Sequence, residues 1–220
     1  MSRGLFITGT DTGVGKTVVS AALMHRYRRD TRLRYWKPIQ TGIEEDDDTV
    51  ELTRLAGCAA DETFSEGVRL PRPVSPHMAA QLSGCTIALP PLIEAHRRGG
   101  QQAAWIVEGA GGVLVPINAR ETMADLMRQL GFAVVVVSRT ALGTINHALL
   151  TIEALRHRSI EPAGIVMVGH SDSGARQAIE SHGAVEVLGE MPVFEDLTCA
   201  VVQAWSRNLD PAGRLLRHLR

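Results

Sequence analysis

The sequence predicts an α/β fold: a mostly parallel, doubly wound sheet with helices on both of its faces. Three observations carry this expectation. Short apolar runs alternate with helical stretches along the whole chain, the order that builds parallel strands joined by crossover helices. The run Phe132–Val137 is apolar throughout, as a central strand covered on both faces must be. Between a buried strand at Leu5-Phe6-Ile7 and a helix at Val18–Met24 stands Gly9-Thr10-Asp11-Thr12-Gly13-Val14-Gly15-Lys16-Thr17. It fits the phosphate-binding spacing G-x-x-x-x-G-K-[ST], which makes the expected fold P-loop NTPase-like. The chain of 220 residues suits one such domain over 1–220, with no repeat, low-complexity tract or linker.

Each element follows from local signals. The first helix runs to about Arg29, and Arg32–Trp36 reads as a second strand leading into Lys37-Pro38-Ile39-Gln40-Thr41-Gly42. Pro38 and Gly42 are expected to end regular structure there, leaving Lys37 and Thr41 at the ligand-binding edge of the sheet. The acidic run Glu44–Asp48 opens a helix over Thr49–Leu55, stopped by Gly57. A Pro-rich stretch from Leu70 to Pro76 precedes helices at Met78–Leu82 and Leu89–Arg98, the second with Pro90 and Pro91 in its first turn. The strand Ala104–Val107 delivers Glu108-Gly109-Ala110-Gly111-Gly112. Glu121–Leu130 is an amphipathic helix capped by Gly131. After the Val-rich strand come a helix at Thr144–Arg156, a strand at Ala163–Val168 and a helix at Ser173–Ser181. A last short strand at Val185–Leu188 runs into Gly189-Glu190-Met191-Pro192, and a helix over Leu197–Arg207 follows.

Composition excludes several function classes. The 23 Lys+Arg nearly balance 24 Asp+Glu, which argues against a strongly cationic nucleic-acid binder. Cys58, Cys85 and Cys199 show no C-x-x-C spacing and cannot all pair, as expected of reduced thiols in a cytoplasmic protein. With a strand expected from the first residues onward, no signal peptide is expected. No apolar run approaches the roughly 20 residues of a membrane helix.

The glycine-rich loop points to a nucleoside triphosphate. Its backbone N–H groups, from Thr12 through Gly13, Val14, Gly15, Lys16, Thr17 and Val18, are suited to phosphate oxygens at a helix N-terminus. Lys16 would reach the outer phosphates and the Thr17 hydroxyl would ligate Mg²⁺. Lys37, beside that edge, is suited to stabilising charge on a transferring phosphoryl group. Asp46, Asp47 and Asp48 each offer hard oxygens for Mg²⁺, and Asp48 aligns best before its helix. Glu108, after an apolar strand, occupies the place of a second acidic metal-binding element. Acidic residues at a helix start can also simply oppose the helix dipole, and Glu108 can cap a glycine turn.

Together with Ser75-Pro76-His77 and Leu142-Gly143-Thr144-Ile145-Asn146-His147, these motifs resemble the dethiobiotin synthetase family from Phe6 to about Pro192. The pairing of Lys-Pro-x-x-Thr-Gly with Glu-Gly-Ala-Gly-Gly is the narrow part of the likeness. The resemblance implies ATP-dependent closure of a ureido ring on 7,8-diaminononanoate with CO₂ or bicarbonate, through a carbamate. It implies Lys37 and Lys16 as catalytic residues, and Mg²⁺ held by Thr17, Asp48 and Glu108. It places substrate against Thr41, Glu108 and Gly111, and against Gly143, Thr144 and Asn146 of a neighbouring subunit in a homodimer. In the residues themselves, Asn146 and His147 read equally well as a helix cap and a surface histidine.

One departure stands out. Relatives commonly carry an adenine-reading Asn after the strand equivalent to Ile165–Val168, whereas this chain reads Val168-Gly169-His170-Ser171. Base contacts are then expected from the backbone near Gly169 and from the segment ending at Pro192, with a relaxed selectivity that could extend from ATP to CTP. The rival reading is a partition-type switch ATPase that binds DNA or membrane. Against it stand the missing Lys-Gly-Gly loop start and the lack of a strongly basic amphipathic terminal helix. A GTPase switch lacks its Asn-Lys-x-Asp guanine reader.

Overall fold

The computed structural model describes residues 3–220. Its elements run β1 (Gly4–Gly9), α1 (Lys16–Tyr27), β2 (Leu33–Trp36), β3 (Ile39–Thr41), α2 (Asp48–Ala56), β4 (Thr63–Phe64) and β5 (Val68–Leu70). There follow α3 (Pro76–Leu82), α4 (Leu89–Arg98), β6 (Ala104–Gly112), α5 (Met123–Leu130), β7 (Ala133–Arg139) and α6 (Thr144–Arg156). The chain closes with β8 (Pro162–Val168), α7 (Ser173–Gly183), β9 (Val187–Met191) and α8 (Cys199–Trp205).

Seven strands form one sheet in the order β4-β2-β6-β1-β7-β8-β9, and every neighbouring pair is parallel. The expected doubly wound α/β architecture is therefore present. Strand parity divides the core in two. Leu33, Tyr35, Ala104 and Ile106 face α1, α2 and α8, whereas Trp36, Trp105 and Val107 face the layer of α3 to α7. That parity also decides the site, because Lys37 and Glu108 continue the first series and so emerge on the α1 side.

Caps explain several boundaries. The Asp47 side chain accepts from the Thr49 and Val50 backbone N–H groups and starts α2, and Gly57 ends it in the left-handed conformation. At the start of α5 the Asp125 carboxylate accepts from both the Thr122 backbone N–H and its hydroxyl, and Gly131 closes that helix.

The structure corrects the sequence reading in three places. Pro38 and Gly42 do interrupt regular structure, but the segment Ile39–Thr41 between them, not read as a strand, pairs in parallel with Val68–Leu70 as a separate two-stranded sheet. Glu108 does not follow its strand but lies within it, since β6 continues to Gly112, which pairs with Gly9 across a bulge. Gly189–Met191 is not a loop but the end of β9, paired with Val166–Val168. Cys58, Cys85 and Cys199 are free thiols. Among the described residues no helix is long and apolar enough to cross a membrane.

Candidate active site

The site is built where β1, β2 and β6 deliver their C-terminal ends to the start of α1. The turn after β1 demands glycine: Gly13 and Gly15 have φ of 69° and 96°, which side chains rarely adopt. A Cβ on Gly15 would also stand 3.3 Å from Val168 Cγ1. The loop so formed presents Thr12, Gly13, Gly15, Lys16, Thr17 and Val18 to a cavity of about 590 Å³. Lys37, Gln40, Thr41, Asp48, Glu108 and Gly111 line the same cavity.

A cluster of buried charge lies at its floor. Lys37, 3% exposed, places Nζ 2.5 Å from Asp48 Oδ2 and 2.9 Å from Glu108 Oε1, and donates to the Gly109 carbonyl at 3.1 Å. The Glu108 carboxylate, 1% exposed, receives four donors. Thr17 and Lys37 meet Oε1 at 3.0 and 2.9 Å, and Ser20 and Tyr35 meet Oε2 at 3.1 and 3.0 Å. A buried charge is tolerated only when partnered in this way. Burial works against the Lys37 ammonium, but Glu108 and Asp48 outweigh it and hold its pKa above the ordinary lysine value. Burial likewise disfavours the Asp48 carboxylate, yet Lys37 overrides it and the pKa falls below the usual range. Lys16 behaves oppositely: burial, reinforced by the nearby Lys37 charge, lowers its pKa. Its Nζ rests on the Asp11 carbonyl at 3.1 Å.

The donor set suits a hard cation. Thr17 Oγ1 lies 3.0 Å from both Asp48 Oδ1 and Glu108 Oε1. One hydroxyl proton cannot serve both carboxylates fully, so one contact is left short of a proton, which a cation would relieve. Among the described residues no three His, Cys, Asp or Glu side chains come together as a metal cage. Two carboxylates and a hydroxyl instead match Mg²⁺, which keeps waters and takes phosphate oxygens. Of the three candidate aspartates, Asp48 reaches this cluster. Asp47 is occupied as the α2 cap, and Asp46 is exposed, its carbonyl accepting from Gln40 Nε2 at 3.4 Å.

Not every expected residue converges there. Val14 is buried in the core between the sheet and α1. Gly169 and Pro192 stand at the ends of β8 and β9, where the Gly169 N–H donates to the Met191 carbonyl at 2.8 Å. Gly143, Thr144 and Asn146 line a different cavity of about 490 Å³ with Leu142, Ile145 and Asp172. There the Thr144 hydroxyl donates to the Arg139 carbonyl, while Asn146 and His147 are exposed and cap nothing with their side chains. His77 is exposed beside Ser75 Oγ, at 3.1 Å.

Sequence reasoning missed Tyr35 and Ser20. Both had a signal: Tyr35 shares its strand face with Lys37 two residues on, and Ser20 lies one helical turn beyond Thr17.

Comparison with known proteins finds relatives over nearly the whole chain. Residues 3–200 match the family model AAA_26, described as an AAA domain. The chain is 46% identical over 200 residues to the ATP-dependent dethiobiotin synthetase BioD of Paramagnetospirillum magneticum, spanning 91% of this chain and 93% of the relative. It is 41% identical over 216 residues to the protein of that name from Agrobacterium fabrum, spanning 98% of each. Among solved structures it resembles a ParA family ATPase from Chlorobium tepidum, with a TM-score of 0.56, 9% identity, and 93% of this chain and 98% of that chain covered. A putative plasmid partition protein from Borrelia burgdorferi bound to AMPPNP gives a TM-score of 0.56 at 11% identity, covering 99% and 97% of the two chains. At such low identity these two likenesses speak for the fold alone.

Proposed function

The chain belongs to the dethiobiotin synthetase family, and from that premise we propose how its cleft works as an ATP-dependent ligase that forms a C–N bond. The substrates are 7,8-diaminononanoate, CO₂ and a nucleoside triphosphate. One neutral amine of the diamine adds to CO₂, forming a carbamate and releasing a proton that the second amine can take up. A carbamate oxygen attacks the γ-phosphorus and the nucleoside diphosphate leaves. The second amine gives up that proton to solvent, attacks the carbamoyl carbon and expels phosphate, which carries away the remaining proton as the ureido ring closes.

This sequence brings two anions together, so the site must concentrate positive charge. Lys16 holds the outer phosphates and Lys37 neutralises the transferring phosphoryl group. Thr17, Asp48 and Glu108 hold Mg²⁺, which when bound supplies further charge neutralisation at the phosphates. Thr41 and Gly111 orient the carbamate end of the substrate. The substrate carboxylate meets Gly143, Thr144 and Asn146 of a second copy; in their own chain these residues line a cavity apart from the cleft. Gly169 and Pro192 border the nucleobase with backbone groups, which permits CTP beside ATP.

The observation that carries this reading is the lysine buried between two carboxylates beside a phosphate-binding loop. Phosphate release by the purified protein, measured with Mg²⁺, bicarbonate and diamine, tests it. Release that requires both diamine and bicarbonate is expected, with ATP and CTP compared side by side. Release indifferent to the diamine would refute the synthetase mechanism.

A further inference from the structure

We infer that Tyr35 and Ser20 are positioning residues that divide the two oxygens of Glu108 between the protein and the bound cation. The terminal torsion of a glutamate is soft, so its carboxylate plane is set by its hydrogen bonds and not by the chain itself. Both donors to Oε2 come from fully buried side chains: Ser20 Oγ at 3.1 Å from α1 and Tyr35 OH at 3.0 Å from β2. Their approach from two different elements fixes Oε2 within the protein. Oε1 alone then faces Thr17 Oγ1 at 3.0 Å and Lys37 Nζ at 2.9 Å, on the cavity side.

The Tyr35 ring is rigidly placed. It is fully buried in the core on the α1 face of the sheet. Without these two hydroxyls Oε2 would be a buried charged oxygen with no partner. The carboxylate would then rotate to share Lys37 or Thr17 between its oxygens, and the cation would lose a preset ligand. Outer hydrogen bonds of this kind typically carry 10- to 100-fold in metal affinity.

The inference rests on the proposal that Glu108 holds the cation, and the test separates the two. Mn²⁺ is titrated into the ADP-saturated protein and free Mn²⁺ is read by electron paramagnetic resonance, alongside the melting temperature. Glu108→Gln is expected to weaken Mn²⁺ binding strongly. Tyr35→Phe, which keeps the ring, is expected to raise the Mn²⁺ Kd about tenfold. Ser20→Ala should raise it less, and Ser20→Thr, which keeps a hydroxyl, should restore it. Normal Mn²⁺ binding in Glu108→Gln would overturn the cation reading of Glu108 and the inference with it. Weak binding in Glu108→Gln with normal binding in both Tyr35→Phe and Ser20→Ala would overturn the inference alone, as would a loss of melting temperature without a change in Kd. Should Tyr35→Phe fail to fold, the Ser20→Ala and Ser20→Thr pair decides.

Discussion

Two cavities at the carboxyl edge of this sheet hold the residues expected to act, and they are built on opposite physical terms. The cleft over the phosphate loop is floored by buried, mutually paired charge: Lys37, Asp48 and Glu108. The cavity at the start of α6 has exposed apolar side chains at Leu142 and Ile145, a turn at Gly143, and, among the described residues, Asp172 as its only ionisable lining group. The first is a preorganised electrostatic site, whose donors are already held by one another. The second offers backbone N–H groups and apolar surface, and under the proposed homodimer it acts only when it faces the cleft of another copy. The difference teaches which substitutions should strike the chemistry and which the encounter with substrate.

The largest effect is expected at the charged floor. Lys37→Ala leaves Asp48 and Glu108 without their shared partner and removes charge from the transferring phosphoryl group. Phosphate release should fall about 10²- to 10³-fold in kcat, the scale of losing one preorganised electrostatic donor. Steady-state assays with saturating diamine check this, and a kcat within threefold of the parent would break the contrast between the cavities. Nucleotide binding, read by calorimetry, should survive because Lys16 and the loop amides remain.

At the α6 cavity the kinetic signature should invert. Asn146→Ala is expected to raise the KM for the diamine several-fold with kcat nearly unchanged, as when an interaction common to ground and transition states is lost. Leu142→Asp places a charge on a fully exposed apolar side chain. It should shift sedimentation toward monomer and raise the same KM, while leaving the melting temperature near the parent value. A monomeric Leu142→Asp protein with an unaltered KM would remove the second copy from the site.

How much of this was legible beforehand differs between the same regions. The phosphate loop was, because nine consecutive residues and both flanks constrain one geometry. Asp48 was chosen among three aspartates only by its alignment with the helix. What separates it in space is that the Asp47 carboxylate is consumed as a cap, a contact that spacing does not reveal. The small sheet of Ile39–Thr41 and Val68–Leu70 was hidden because three-residue strands carry no periodicity and their partner lies far along the chain. Glu108 seemed to follow its strand because four residues rich in glycine come after it, and glycine is a poor strand former. Pairing of Gly112 with Gly9 overrides that preference. The α6 motif was legible as a motif, yet nothing in spacing could tell that its cavity is not the cleft.

The smallest effect is expected at the residue that joins the two regions. Arg139 ends β7; its carbonyl accepts from the Thr144 hydroxyl of the α6 cavity, and its guanidinium lies 2.5 Å from Asp11 Oδ2 in the phosphate loop. Both side chains of that ion pair are about half exposed, so water and salt screen it and its contribution is small. Arg139→Met keeps the carbonyl and the aliphatic stem and deletes only the charge. The expected outcome is less than a threefold change in nucleotide Kd at low salt, vanishing at high salt, with no change in the KM for the diamine. A larger effect that persists in salt, or one that moves both constants together, would mean that the two cavities are mechanically coupled through Arg139. They could not then be treated as an electrostatic site and a separate encounter surface.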